Sequence, residues 1–202
     1  MKRILDLSLK HKLSHIGSCL TTYPILEEIY NKKNKDDLVV LSCGHAGLAQ
    51  YVIIEKFSNG TINAEDLLNK MGVHPERDVN NGISVSTGSL GSGILVATGL
   101  AIANKNRNVY CIISDGECAE GSVWEALGFC YKSNITNLII HVNINGYSAY
   151  DSVDRIYLEN RLKSFLPSIV VHQTQNPEYL GGLNAHYHVM KTESEIDKIL
   201  YY

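Results

Sequence analysis

A chain of 202 residues, 45% hydrophobic and 19% charged, with 16 Gly but only 4 Pro, has the composition of a globular domain that can bury a core. Collagenous, low-complexity and disordered classes are excluded, and a net charge of −3 leaves no global basic field to recruit nucleic acid or an anionic membrane. The richest apolar run, 94–103, is interrupted by Thr98 and Gly99 and is too short to span a bilayer. The opening Met1-Lys2-Arg3-Ile4-Leu5-Asp6 has no apolar signal core, so a cytoplasmic location is expected.

In chain order, residues 1–12 read as a helix, and Pro24 is expected to open a second one with Ile25, Leu26 and Ile29 on one face. Residues 38–41 form a short strand-type run, and 44–57 read as helical. Asn63 is placed to cap a further helix whose first turn carries Glu65 and Asp66, where the helix dipole favours acids. Residues 89–104 are apolar or small on every side, which predicts a helix buried all round, in a core or at a subunit interface. Residues 109–113 are the clearest buried strand, followed by a helix over 120–131 and strands at 138–142 and 169–171. Continuous apolar strands separated by helices predict an α/β fold, a mostly parallel sheet with helices on both faces. Cys19, Cys43, Cys111, Cys118 and Cys130 are odd in number and contain no CxxC pair, so buried free thiols are expected rather than a disulfide framework or zinc ribbon.

Ligands of such sheets bind beyond the carboxyl ends of the strands, and the polar clusters of this sequence fall there. Ser114-Asp115-Gly116-Glu117 directly follows one strand, and Asn143-Ile144-Asn145-Gly146-Tyr147 directly follows the next, with Asn145 thirty residues beyond Asp115. A carboxylate and an amide oxygen at adjacent strand ends are hard ligands suited to Mg²⁺, which completes its octahedron with water and phosphate oxygens. The same Asp-Gly and Asn-Gly dipeptides also serve as ordinary turns. His15, His45, His74, His186 and His188 stand mostly beside Gly or Pro or just after a strand, positions that fit proton shuttling or diphosphate binding. His186-Tyr187-His188 is also a possible metal-binding pair on an extended segment. Ser86-Thr87-Gly88-Ser89-Leu90-Gly91-Ser92-Gly93 is a glycine-rich turn ahead of the apolar helix. It has neither a Walker A ending nor a strict GxGxxG.

Taken together, Ser14-His15-Ile16-Gly17-Ser18, Leu41-Ser42-Cys43-Gly44-His45-Ala46, His74-Pro75-Glu76, the 86–93 turn, the run Ser114 to Ala126 and Asn143-Ile144-Asn145 resemble the transketolase family, specifically its amino-terminal, thiamine-diphosphate-binding domain. The likeness runs in order from His15 to His186. It implies thiamine diphosphate with Mg²⁺: Asp115, Asn145 and the carbonyl of Tyr147 on the metal; the Gly116 backbone and His45 on the diphosphate, with Glu117 among the cofactor-binding residues; Gly88 and Leu90 at the aminopyrimidine and thiazolium ends. His15 and His74 match histidines that handle sugar hydroxyls and protons, and His186 matches the family's late histidine near the diphosphate and the reacting carbons. The implied activity is transfer of a two-carbon ketol unit between sugars. The alternatives are a deoxyxylulose-phosphate-synthase-like or decarboxylating thiamine enzyme, or a degenerate homologue that binds and regulates a partner.

The sequence departs from the family pattern at Ser114, where Gly is usual, and at Asn143, where Asp is usual. The 151–174 stretch is shorter than in the family by what reads as a helix and a strand. Gln173-Thr174-Gln175-Asn176 replaces the Lys-Gly-Lys-Gly that often follows the last strand. The resemblance therefore implies one diphosphate- and Mg²⁺-binding domain over 1–202. The pyrimidine-binding and C-terminal domains would lie on a second polypeptide, as in a split transketolase, in an assembly of two copies of each chain.

Overall fold

Strand and helix propensities alternate along this chain because each apolar strand needs cover on both faces, and the structure supplies it. The computed structural model describes residues 1–148 and 151–201. Its helices and strands run α1 (Lys2–His11), α2 (Ile16–Lys32), β1 (Leu38–Leu41), α3 (Gly47–Phe57), α4 (Ala64–Met71), α5 (Gly93–Ala103), β2 (Val109–Ser114), α6 (Gly121–Lys132), β3 (Leu138–Ile144), α7 (Arg155–Phe165), β4 (Val170–Gln173) and α8 (Ser194–Leu200). The four strands are parallel, in spatial order β1-β2-β3-β4, with Val40 opposite Cys111, Cys111 opposite Ile140 and Val142 opposite Val171.

Alternation along each strand divides the core in two. Val39, Leu41 and Ile112 face a cluster built from Ile4, Leu26, Tyr51 and Ile53 of α1, α2 and α3. Val40, Cys111, Ile113 and Val142 face Ile94, Ala97, Val123, Leu127 and Leu162 of α5, α6 and α7. Helices on both faces of a parallel sheet are the α/β architecture that the sequence predicts. All five cysteines are buried and free, and no helix among the described residues is long and apolar enough to cross a membrane.

Two local expectations shift. Pro24 does not open α2 but lies inside it. The helix starts eight residues earlier because Ile16, Cys19 and Leu20 are buried and Asn143 of β3 donates to the hydroxyls of Thr21 and Thr22 at 2.9 and 3.1 Å. Tertiary packing thus outweighs the backbone hydrogen bond that proline forfeits. The glycine-rich segment becomes helical only at Gly93, since the preceding residues form a turn. Within this one chain α5 is covered on one side: Ile94, Ala97 and Ala101 are buried, and Leu95, Val96 and Ile102 are 46%, 45% and 47% exposed. Asn63 does cap α4, its Oδ1 accepting from the N–H groups of Glu65 and Asp66.

Candidate functional site

The carboxyl ends of β1, β2 and β3 open into a cavity of about 200 Å³. Two larger clefts, of about 560 and 570 Å³, lie elsewhere, but the smaller one concentrates the titratable groups. His15, His45, His74, His186, Gly88, Leu90, Asp115, Gly116, Asn145 and Tyr147 all line it. Of the residues that the family resemblance assigns to the site, only Glu117 is absent from the lining. Ser18, Ser114 and Ser148 line it as well; Ser18 and Ser114 stand inside the quoted motifs, yet a serine alone gives no sign of a role.

Each wall has a local cause. After β1 the chain turns through Gly44, where a Cβ would lie 2.7 Å from the Gly88 nitrogen, so His45 enters against the glycine-rich turn. Gly88 has φ +148°, and a Cβ there would meet the His74 ring at 3.0 Å; only glycine fits both the backbone and the contact. His15 caps the start of α2 in the left-handed conformation, φ 61°, and its N–H donates to the His186 carbonyl at 3.2 Å. The His15 ring lies 4.3 Å from that of His186 and 5.6 Å from that of His45, centroid to centroid. Burial, reinforced by the neighbouring imidazoles, holds His15 down at about 4 and His45 at about 3. His15 Nδ1 is buried with no hydrogen-bond partner.

Asp115 follows β2 and is 3% exposed. One oxygen accepts the Gly146 N–H at 2.7 Å and the other the Gly116 N–H at 3.1 Å. Burial outweighs these donors and raises the carboxyl to about 6. Asn145, at the adjacent strand end, accepts the Tyr147 N–H on Oδ1 at 3.0 Å. Glu117 is fully enclosed behind this wall. It accepts the Ser42 hydroxyl at 2.7 Å, the Gly91 N–H at 2.9 Å and the Ser114 N–H at 3.1 Å, and its burial raises its pKa. It thus joins the ends of β1 and β2 to the glycine-rich turn rather than facing the cavity. The His186–His188 pair separates: His186 faces the cavity, whereas His188 Nε2 meets Glu195 at 2.9 Å.

The donor set can be tested against an Mg²⁺–diphosphate. Among the described residues the lining contains no Lys or Arg, so an anion entering it would bring its own cation. Among the same residues no three His, Cys, Asp or Glu side chains converge to hold a metal. A cation would therefore have one carboxylate with amide and carbonyl oxygens and leave its other positions to phosphate and water, the habit of Mg²⁺. A buried carboxylate without a basic partner among the described residues fits such a ligand.

The low-titrating histidines carry a consequence for the ligand-free chain. His15, His45 and His141 titrate at about 4, 3 and 4 when folded, all by burial first, against about 6.5 when unfolded. The unfolded chain then binds more protons below pH 6.5, so stability present at neutral pH is lost as the pH falls toward 4. Asp115, raised to about 6, and Glu117, also raised by burial, oppose this at acid pH, but burial lowers His172 and His186 as well, so the histidines outnumber the acids. Melting temperature should fall steadily from pH 7 to pH 5; a flat profile would contradict the burial of these imidazoles.

A parallel α/β sheet with polar groups gathered at its strand ends defines a domain that holds its ligand at the carboxyl edge. Residues 9–176 match the family model described as "Transketolase, thiamine diphosphate binding domain", and the chain belongs to that family. It is 34% identical, over 71% of its length, to one of the subunits of an apulose-4-phosphate transketolase from Phocaeicola vulgatus. Over 66% it is 32% identical to "6-deoxy-6-sulfo-D-fructose transketolase subunit SqwG" of a Clostridium species. It covers 57% and 55% of those relatives. Among solved structures, a transketolase from Leishmania mexicana superimposes with TM-score 0.66 at 25% identity, covering 81% of this chain and 30% of that one. One from Pichia stipitis does so with TM-score 0.72 at 18% identity, covering 98% and 39%, a likeness of fold.

Proposed function

We propose that this chain is the diphosphate-binding subunit of a split transketolase-type enzyme that transfers a two-carbon ketol unit between sugars on thiamine diphosphate. The observation that carries this reading is the single cavity uniting four histidines with the Asp115–Asn145 oxygen pair. In it Asp115, Asn145 and the Tyr147 carbonyl hold Mg²⁺, while the Gly116 backbone and His45 hold the diphosphate. Gly88 and Leu90 border the ring end, and His15, His74 and His186 face the sugar. When bound, the cofactor supplies the carbanion-stabilising centre; the protein orients it, excludes water and moves protons at the sugar hydroxyls. Glu117 supports this set from behind. The whole domain, 1–202, serves this one purpose. Turnover of a ketose donor by the native assembly, purified through a tag on this chain, tests the reading. A competent assembly that binds the cofactor but transfers no ketol unit from any ketose would favour a decarboxylating enzyme or a regulatory homologue.

The relatives named as subunits support a second polypeptide; in the proposed enzyme it carries the pyrimidine-binding and C-terminal domains and pairs with this chain in a heterotetramer. The apolar outer face of α5 supports the same view. Leu95, Val96 and Ile102 are half exposed, and a Cβ at Gly99 between them would meet nothing within 4 Å. A row of this kind is an interaction surface. Ile102→Asp, at a position already in contact with water, should leave the chain folded yet weaken assembly by about 30-fold or more in Kd, the scale of an interface hot spot. Light scattering checks this; an unchanged mass at low concentration would remove α5 from the interface.

A further inference from the structure

The turn after β3 is held from two sides. On the cavity side the Gly146 N–H donates to Asp115 at 2.7 Å. On the other side stands Arg155, the first residue of α7. Its Nη2 donates to the Asn145 carbonyl at 2.6 Å. A Cβ at Gly146, where φ is +91°, would fall 2.6 Å from Arg155 Nε and 2.9 Å from Nη2, so the guanidinium lies directly against the glycine backbone. Val153 N–H donates to the Gly146 carbonyl at 2.9 Å, and Tyr147 pairs with Ser152 in an isolated antiparallel bridge. Asp154, the neighbouring acid, caps α7 through the Tyr157 N–H instead. Among the described residues Arg155 makes no ion pair, and it does not line the cavity. A planar guanidinium with fixed donors suits the clamping of a backbone carbonyl.

From this geometry we infer that Arg155 is a positioning residue, which stiffens the Asn145–Tyr147 turn so that its oxygens accept a small octahedral cation in preference to a larger one. The inference rests on the reading of Asp115, Asn145 and Tyr147 as the metal site. Mg²⁺ demands near-ideal octahedral geometry, whereas Ca²⁺ accepts longer and more variable arrangements. A loosened turn should therefore penalise Mg²⁺ selectively. General destabilisation of the fold would penalise both cations alike.

The test follows thiamine diphosphate binding calorimetrically in the native assembly, freed of cofactor, while Mg²⁺ or Ca²⁺ is titrated. Arg155→Ala should raise the Mg²⁺ needed for half-maximal binding by about 10–100-fold, the usual effect of losing an outer support of a metal site. The Ca²⁺ requirement should move by less than about threefold, because Ca²⁺ tolerates the looser turn. Arg155→Lys, which keeps a donor and a charge but not the planar fork, should show a smaller shift of the same selectivity; it carries the comparison if the alanine variant does not fold. An unchanged Mg²⁺ requirement, or equal losses with both cations, would overturn the assignment. Asp115→Ala runs in parallel: if it binds cofactor like the wild type, the metal site itself is misplaced, a failure distinct from that of Arg155.

Discussion

Replacing Asp115 by alanine should abolish Mg²⁺-dependent binding of thiamine diphosphate while leaving the chain folded. Among the described residues the carboxylate is the only acid lining a cavity without Lys or Arg, so nothing else there neutralises a divalent cation. Its removal leaves Mg²⁺ with only neutral oxygens from this chain, so the ion and the diphosphate it carries lose their anionic anchor to the protein. Removing even an outer support of a metal site typically lowers affinity 10–100-fold, so loss of the anionic ligand should exceed about 100-fold. Folding should survive because the displaced donors, the N–H groups of Gly146 and Gly116, border a cavity open to water. Calorimetric titration measures the loss. An affinity equal to the wild type would sink the metal assignment. Asn145→Ala removes a neutral ligand and should weaken binding in the same direction by less.

The second large effect belongs to turnover. His74→Ala and His15→Ala should each reduce kcat by about 10²–10⁴-fold, the range for a positioned proton donor or acceptor, with a much smaller change in cofactor affinity. His15 is the more constrained of the two. Its backbone is left-handed, its ring abuts His186 and His45, and its Nδ1 is buried without a partner. A nitrogen kept free in this way is poised for a hydroxyl that the chain itself does not provide. His45→Ala should show the opposite division, weaker cofactor binding first. Steady-state kinetics on the native assembly, alongside cofactor titration, separates these outcomes. Equal losses of cofactor affinity in all three variants would contradict the division of labour.

Much of this was legible in the sequence because it depends on residue order. A strand end fixes the position of the residues just beyond it, so Asp115 after β2 and Asn145 after β3 had to become neighbours once the strands paired in register. The glycines marked where backbones touch. The features that remained hidden depend on distant packing. Nothing local to Pro24 reveals that Asn143, more than a hundred residues on, anchors the preceding turn of α2. Glu117 reads as a site residue by its place in the motif, and only the fold shows its carboxylate directed toward Ser42 and Gly91. His186 and His188 are indistinguishable in sequence; Glu195, on α8, takes one of them. Arg155 belongs to no motif at all.

The enclosure of Glu117 bears on how this domain could be re-engineered or could diverge. One carboxylate answers simultaneously to the ends of β1 and β2 and to the glycine-rich turn. Lengthening or regrafting any one of those loops would strand a buried acceptor, at a cost of about 1–3 kcal/mol for each unmet bond. These three segments are therefore constrained to change together or not at all. Glu195 ties the segments on either side of His186 in a comparable way, meeting the Tyr179 hydroxyl and His188 and accepting the Lys191 and Thr192 N–H groups, and Asp115 and Arg155 hold the turn after β3. New substrate preferences are best sought outside these held segments, by single substitutions at the cavity lining while the knotted loops stay fixed.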